Sequence, residues 1–211
     1  MTDLSYECEF DSVIVLEDWL SPNKYKVKIY FDVETDNGDH QNIAFERIKI
    51  MLEDVFHNSM IISLDNPLLQ TLAKKTKQRI ITLPNEPLDV IVAAILYNKL
   101  NAISEGKLSI HKVKISSTQA DYIWVHFDDV FAENLKDINC EYYKITEVEP
   151  WWMRRDPSTS DWFEIGKKEI KFHCQKASWD KTLQWSTESN ENSKKPSWNP
   201  TIIDGGKETK H

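Results

Sequence analysis

The sequence predicts an α+β fold in which two β-hairpins flank two helices, in the order ββααββ. Three observations predict it: alternating apolar residues in two N-terminal segments, helical apolar spacing in the middle of the chain, and a second alternating pair that ends near residue 128. Because the strands are grouped into hairpins, we expect an antiparallel sheet and not a doubly wound parallel one. Apolar residues make up 40% of the 211 residues, which is enough for a substantial core.

The first hairpin is predicted from two segments rich in Val, Ile, Tyr and Phe. Residues 6–16 alternate in the way that is typical of a half-buried strand. After a predicted break at Ser21-Pro22-Asn23, residues 24–35 alternate with period two over ten positions. Turn-forming residues at 36–39 end the hairpin.

The helices are predicted from apolar residues at intervals of three and four. A first helix covers 45–56, with Asn42 as its N-cap, and a shorter helical piece covers 67–75. Residues 80–83 are interpreted as an extended link. The most regular helix begins near residue 87 and stops before Gly106.

A second hairpin follows these helices. Its predicted strands are 107–117 and 120–128. The apolar alternation of the first strand shifts by one residue, so we expect a β-bulge near His111.

The chain divides into three predicted parts: a core at 1–139, a β-hairpin-like extension at 140–185 and a polar tail at 186–211. The tail has too little apolar content to fold by itself. Aromatic residues often anchor interfaces, so we expect a protein partner to bind this C-terminal region, or the side chains to pack on their own domain. The tryptophans concerned are Trp179, Trp185 and Trp198.

The composition excludes several classes of protein. A net charge of −8 argues against a nucleic-acid-binding role, and no apolar run is long enough to cross a membrane. The three cysteines show no CxxC spacing, so we expect reduced thiols and no zinc knuckle. We expect a cytoplasmic protein, or one assembled into a particle.

Three stretches stand in a definite order along the chain: SPNKYKVKIYFDVET at 21–35, FERIKIMLEDVFHNSMI at 45–61, and the stretch from LPNEPLDV to IWVHF at 83–127. Together they resemble the tetrahydropterin synthase family, which includes the 6-pyruvoyl- and 6-carboxy-tetrahydropterin synthases. The first resembles a strand that follows an HGHNY motif, the second a helix that ends in DHxxLN, and the third a PTxEN helix entry followed by a hairpin with an ET motif. The resemblance implies the T-fold, whose ββααββ subunits associate through their sheets into a barrel with a tunnel.

The same resemblance implies a zinc site of three histidines and a glutamate that anchors the pterin. The residues at the zinc positions are Ile14, Ser21 and Asn23, none of them an adequate zinc ligand. Ser117 occupies the position of the pterin-anchoring glutamate, and a serine lacks the paired acceptors of a carboxylate. His57 matches the histidine of DHxxLN and is the one family-type histidine that remains.

These substitutions predict a protein that has lost its chemistry and acts by assembly and binding, without a catalytic residue, metal or cofactor. We expect a homo-oligomer, with a larger assembly such as a viral particle as one version of this role. An alternative is an enzyme of pterin or deazaguanine metabolism with a relocated metal site. Its candidate ligands are His111, His126 and Asp128. A third alternative is a pterin- or purine-binding module without chemistry.

Overall fold

The structure is a computed structural model that describes residues 4–131 and 149–161. Its strands are β1 Leu4–Leu16, β2 Trp19–Val33, β3 Ser59–Ser63, β4 Ile80–Leu83, β5 Leu108–Ser117 and β6 Val125–Asp128, and its helices are α1 Gly38–Lys49, α2 Leu69–Lys75 and α3 Asp89–Ser104. The six strands form one sheet in the order β4-β3-β1-β2-β5-β6. Strands β1, β2, β5 and β6 are antiparallel, as predicted. The predicted α+β class is confirmed, and the ββααββ order holds with two further strands, β3 and β4, in its middle part.

The β1–β2 hairpin is longer and tighter than predicted. Its register runs from Leu4 opposite Phe31 to Leu16 opposite Trp19, with a two-residue turn between the strands. The predicted break at residues 21–23 is wrong because these residues lie inside β2. Pro22 is tolerated there because β5 pairs with β2 only over Tyr25–Val33, so the missing N–H of Pro22 faces no second strand.

The helices agree with the apolar spacing, although their ends differ. Asn37, not Asn42, caps α1, since its side-chain oxygen accepts hydrogen bonds from the backbone N–H groups of Asp39 and His40. A π-helical turn over Ile50–Val55 continues α1. The later helix, α3, ends before Gly106 as predicted.

Strands β3 and β4 were not predicted. Both pair in parallel, β3 with β1 and β4 with β3, and every residue of both strands is buried. A strand covered on both faces lacks the alternation that reveals a half-exposed strand, and a run of four or five residues with three apolar ones does not distinguish a strand from a link.

The predicted bulge in β5 is present. Tyr30 pairs with Lys112 and Phe31 with Ile110, so His111 is the extra residue between them. The bulge reverses the side-chain alternation at this point, which is why the apolar positions of β5 change parity.

The two faces of the sheet have different environments. Ile14 packs in the main core with residues of α1 and α3, whereas the adjacent Val15 packs on the opposite face with Leu69 of α2. Helix α2 lies over the β1–β3–β4 part of that opposite face, which we call the outer face. Over β2 and β5 the outer face carries charged side chains, among them Lys26 and Lys28.

Residues 149–161 pack against the core. Trp151 and Trp152 are fully buried in the main core cluster, and Trp151–Met153 form a 3₁₀ turn where a strand was predicted. The other residues of the predicted 140–175 hairpin, and the predicted boundaries at 140 and 186, lie outside the described residues. So do Trp179, Trp185 and Trp198.

Candidate functional site

The positions at which the resemblance places zinc ligands lie together on the helix-facing side of the β1–β2 hairpin. Ile14 pairs with Ser21, and Asn23 follows two residues later opposite Ser12. Because alternate residues of a strand share a face, these side chains have the same orientation. Ile14 is fully buried in the main core, so it contributes hydrophobic packing there.

Asn23 connects β2 to the end of β5. Its side-chain oxygen accepts hydrogen bonds from the Thr118 hydroxyl at 2.7 Å and from the Gln119 backbone N–H at 3.0 Å. Thr118 is held in turn by Lys24, whose backbone N–H donates to its hydroxyl at 3.0 Å. The oxygen that a metal would need is therefore engaged in structural hydrogen bonds.

A carboxylate reaches the position expected for the pterin anchor from a different element. The Ser117 hydroxyl donates to Oδ1 of Asp89 at 2.9 Å, and Asp89 is the first residue of α3. Both residues are buried. Sequence reasoning missed Asp89, because an acidic residue in a first helical turn is usually there to complement the helix dipole.

Five polar residues from β1, β2, α3 and β5 meet around this point. They form what we call the buried polar cluster: Ser12, Asn23, Tyr25, Asp89 and Ser117. In this cluster the Ser12 hydroxyl, Asn23 Nδ2, the Tyr25 hydroxyl and Asp89 Oδ2 make no hydrogen bond within the described part of the chain. An unpaired buried polar atom costs about 1–3 kcal/mol, so the cluster destabilises the fold unless water or a polar ligand satisfies it.

Burial sets the protonation of the cluster. It raises the pKa of Asp89, while the Ser117 hydrogen bond opposes the shift. Burial also raises the pKa of Tyr25, helped by the nearby Asp89 charge and opposed by the Asn23 amide. Tyr25 therefore remains a protonated hydrogen-bond donor at neutral pH, and the cluster can bind polar groups without supplying a strong base.

The residues present do not fit the family's zinc. Ile14 has no donor atom, the Asn23 oxygen is already bonded, and a serine hydroxyl such as Ser21 is a poor zinc ligand. Over residues 4–131 and 149–161, no group of three or more His, Cys, Asp or Glu side chains is arranged to hold a metal ion.

His57 has a structural role. Its Nδ1 accepts a hydrogen bond from the Asp11 backbone N–H at 3.2 Å, which fixes the end of the α1 region to β1. Phe56, in place of the family's aspartate, is fully buried and contacts Phe10 with ring centroids 5.5 Å apart. The charged partner that would orient an imidazole for proton transfer is thus replaced by core packing.

The structure brings two of the three alternative metal ligands, His126 and Asp128, within 3.9 Å of each other, but among the described residues it does not group His111 with them. His111, at the bulge, lies 3.6 Å from Asp32, whereas His126 lies 3.9 Å from Asp128. Asp128 is also 3.9 Å from Lys112, its cross-strand partner. The acidic groups nearest to the two histidines therefore differ, and the candidate cluster is not formed.

Two concavities lie beside β6, one on each side of the strand. The apolar groove, of about 510 Å³, lies between α3 and β6 and includes Val90, Ile95, Trp124, Phe127 and Phe131 in its lining. The polar concavity, of about 440 Å³, lies on the outer face of the sheet. Its lining consists of Glu7, Lys28, Tyr30, Lys114, Trp124, Val125 and His126.

Comparisons with known proteins give remote structural similarities. No family model matches the chain, and no curated protein matches it. An uncharacterized protein from Wolinella succinogenes is 14% identical with a TM-score of 0.45, covering 61% of this chain and 98% of that one. A catalytic-residue mutant of Plasmodium vivax 6-pyruvoyltetrahydropterin synthase is 12% identical with a TM-score of 0.39, covering 60% of this chain and 98% of that one. Both similarities are remote, and neither assigns a function to this chain.

None of the helices in the described ranges combines the length and the apolar character that crossing a bilayer requires.

Proposed function

We propose that this chain is a non-catalytic scaffold protein that associates with copies of itself through the β6 side of its sheet. The observation that carries this proposal is an exposed apolar surface around β6. We call these residues the β6 apolar surface: Val90 and Phe131 line the apolar groove, and Ile123 and Val130 precede and follow β6 in the chain.

Exposure and position favour an interface at this surface. Val130 is 80% exposed and Ile123 65% exposed, which is unusual for large apolar residues on either side of one strand in a protein that remains monomeric. β6 is also the last strand of the sheet that the described residues form, and none of these residues adds a strand to its outer side. An interface that buries both the exposed apolar residues and the outer backbone of β6 would protect the strand edge and remove apolar area from water.

The non-catalytic part of the proposal is supported by the fate of the family's site residues. The residue at the first zinc position, Ile14, is part of the hydrophobic core, and Asn23 and Ser117 hold β2, β5 and α3 together. At these positions, the residues present stabilise the fold, which supports a role without chemistry. A fold can persist in this way because many core residues specify it, whereas a few site residues specify an activity.

The test is the subunit number of the full chain, measured by native mass spectrometry and light scattering. We expect an oligomer that dissociates in Ile123→Glu and in Val130→Glu, because a buried unpaired carboxylate opposes association. Leu20→Glu is the matched control, since Leu20 is 47% exposed on the β1–β2 hairpin and lies outside the β6 apolar surface. A monomeric wild-type chain, or equal dissociation in all three variants, contradicts the proposal.

Metal analysis of the same sample tests the loss of chemistry. We expect no stoichiometric zinc and no change in melting temperature after treatment with a chelator. Stoichiometric zinc that stabilises the native chain would instead favour the alternative of an enzyme with a relocated site.

A further inference from the structure

We propose that the polar concavity on the outer face of the sheet binds a small ligand that combines a planar aromatic ring with an anionic group, the chemistry of a nucleoside monophosphate. This site lies on the opposite face from the buried polar cluster. It shares no residue with the β6 apolar surface, although its lining includes Trp124, Val125 and His126 at β6.

The first observation is a row of side chains that crosses four strands. Glu7 pairs with Lys28, Lys28 with Lys114, and Lys114 with His126 in the strand register. Two lysines directly opposite each other repel, and such pairs destabilise a sheet. An anion bound between them would relieve this repulsion.

The second observation is the uneven pairing of these two lysines. Lys28 has Glu7 at 3.7 Å, whereas none of the ion pairs found among the described residues involves Lys114. The Nζ of Lys114 instead lies 5.5 Å from the centroid of the Tyr30 ring, and Lys28 Nζ lies 5.6 Å from the same centroid. Tyr30 thus places both ammonium groups at one aromatic ring, and the Lys114 ammonium, in no ion pair among the described residues, can donate to an anion.

The third observation is an aromatic surface at the edge of the same concavity. Trp124 lines it and is 47% exposed, so its ring is accessible for stacking. Stacking on an aromatic side chain accepts any planar base, whereas ammonium groups select the negative charge of a phosphate. The volume of about 440 Å³ is within the range of sites for small molecules.

The experiment is isothermal titration calorimetry of the full chain at low salt with AMP and GMP, compared with guanosine and inorganic phosphate. We expect either nucleotide to bind at least about tenfold more tightly than guanosine or phosphate alone, because only the nucleotides fill both halves of the site. Lys114→Gln should weaken nucleotide binding about tenfold, as expected for loss of one charged hydrogen bond. Trp124→Leu should weaken nucleotide binding about tenfold while leaving phosphate binding unchanged.

Two further variants decide whether the site is specific. Lys112→Gln removes the same charge from the same face of β5, but Lys112 lies outside the lining of the concavity, so we expect less than about a twofold change. Glu7→Gln removes the carboxylate that neutralises Lys28 and should strengthen binding. Failure of both nucleotides to bind, or equal loss in Lys112→Gln and Lys114→Gln, overturns the proposal. Subunit number measured on the same variants reports separately on the scaffold role.

Discussion

The two outermost described strands of the sheet differ in how they are covered: residues 149–161 cover the β4 edge, whereas the β6 edge carries an exposed aromatic residue. At the β4 edge, the backbone N–H of Thr82 donates to the Thr159 carbonyl at 3.0 Å, and the Thr159 hydroxyl donates to the Ile80 carbonyl at 2.8 Å. Trp151 then closes this side, because its indole N–H donates to the Thr82 carbonyl at 2.8 Å. At the β6 edge, by contrast, about half of the Trp124 side chain is exposed to solvent.

Two buried charged groups also differ in how they are paired. On the β4 side, the fully buried Lys99 ammonium donates to the backbone carbonyls of three residues at 2.6–2.8 Å, and these residues are Trp151, Arg154 and Asp156. In the buried polar cluster, Asp89 Oδ2 has no partner within the described residues. The difference teaches that, among the described residues, internal pairing covers the β4 edge and Lys99, whereas Trp124 at the β6 edge is exposed and Asp89 in the buried polar cluster is only partly paired.

The largest expected effect compares the two tryptophans directly. Trp151→Ala should lower the free energy of unfolding by about 4 kcal/mol, because it removes a fully buried ring together with the indole donor to the Thr82 carbonyl. Trp124→Ala should change it by less than about 0.5 kcal/mol in dilute protein. Urea denaturation measures both, and similar losses would show that the two sides do not differ.

Removing the buried ammonium should have the next largest effect. Lys99→Met should lower the free energy of unfolding by about 2 kcal/mol, because three carbonyls lose this donor while the cost of burying a charge is also removed. Hydrogen exchange should show loss of protection in residues 149–161. The control is Lys49→Met, since Lys49 is an exposed residue of α1. Unchanged protection in Lys99→Met contradicts the role assigned to Lys99.

The same lysine gives a pH dependence with a definite sign. Burial lowers the pKa of Lys99 to about 7, from 10.5 in the unfolded chain, and Asp156 opposes the shift. Between these values the unfolded state holds a proton that the folded state has released, so the stability contributed by this group rises with pH from about 7 to 10.5. Urea denaturation across this range should show the rise in the wild type and its absence in Lys99→Met.

The smallest expected effect concerns Asp89 in the buried polar cluster, where one carboxylate oxygen has no partner among the described residues. Asp89→Asn should raise the free energy of unfolding at neutral pH by about 1 kcal/mol, because it removes a buried charge without changing the side-chain shape. Burial raises the pKa of Asp89, so the folded state binds a proton more readily than the unfolded state. Between the pKa of the unfolded state and the higher pKa of the folded state, the stability that Asp89 contributes in the wild type falls as pH rises. The fall should be absent in the variant and retained in the exposed-residue control Asp65→Asn.

The sequence predicted the strands that have one apolar, buried face and one polar face. Alternation marked β1, β2 and β5 because one face of each is polar, and a parity change located the bulge at His111. It did not reveal β3 and β4, which are buried on both faces. It did not show which strands would be outermost: among the described strands, β1 and β2 are central and β4 and β6 are the outermost.

The candidate site was predictable in part. The resemblance identified Ile14, Ser21 and Asn23 as neighbouring positions, and strand register does bring them to one face of the hairpin. Asp89 and Tyr25 were not identified, because a helix-initiating aspartate and an aromatic residue in an apolar stripe both have ordinary structural explanations. They matter for the candidate site because both are buried close together and each has a polar atom without a hydrogen-bond partner among the described residues.

By itself, the sequence determined the α+β class, the first hairpin and the main helices, since periodicity is a local property, whereas the expected zinc positions came from the family resemblance. Only the tertiary structure decided which strands form the edges, that Lys99 binds the 149–161 segment, and that Lys28 and Lys114 face each other beside Trp124. Those features depend on strand register and on contacts between residues far apart in the chain, which local patterns do not encode.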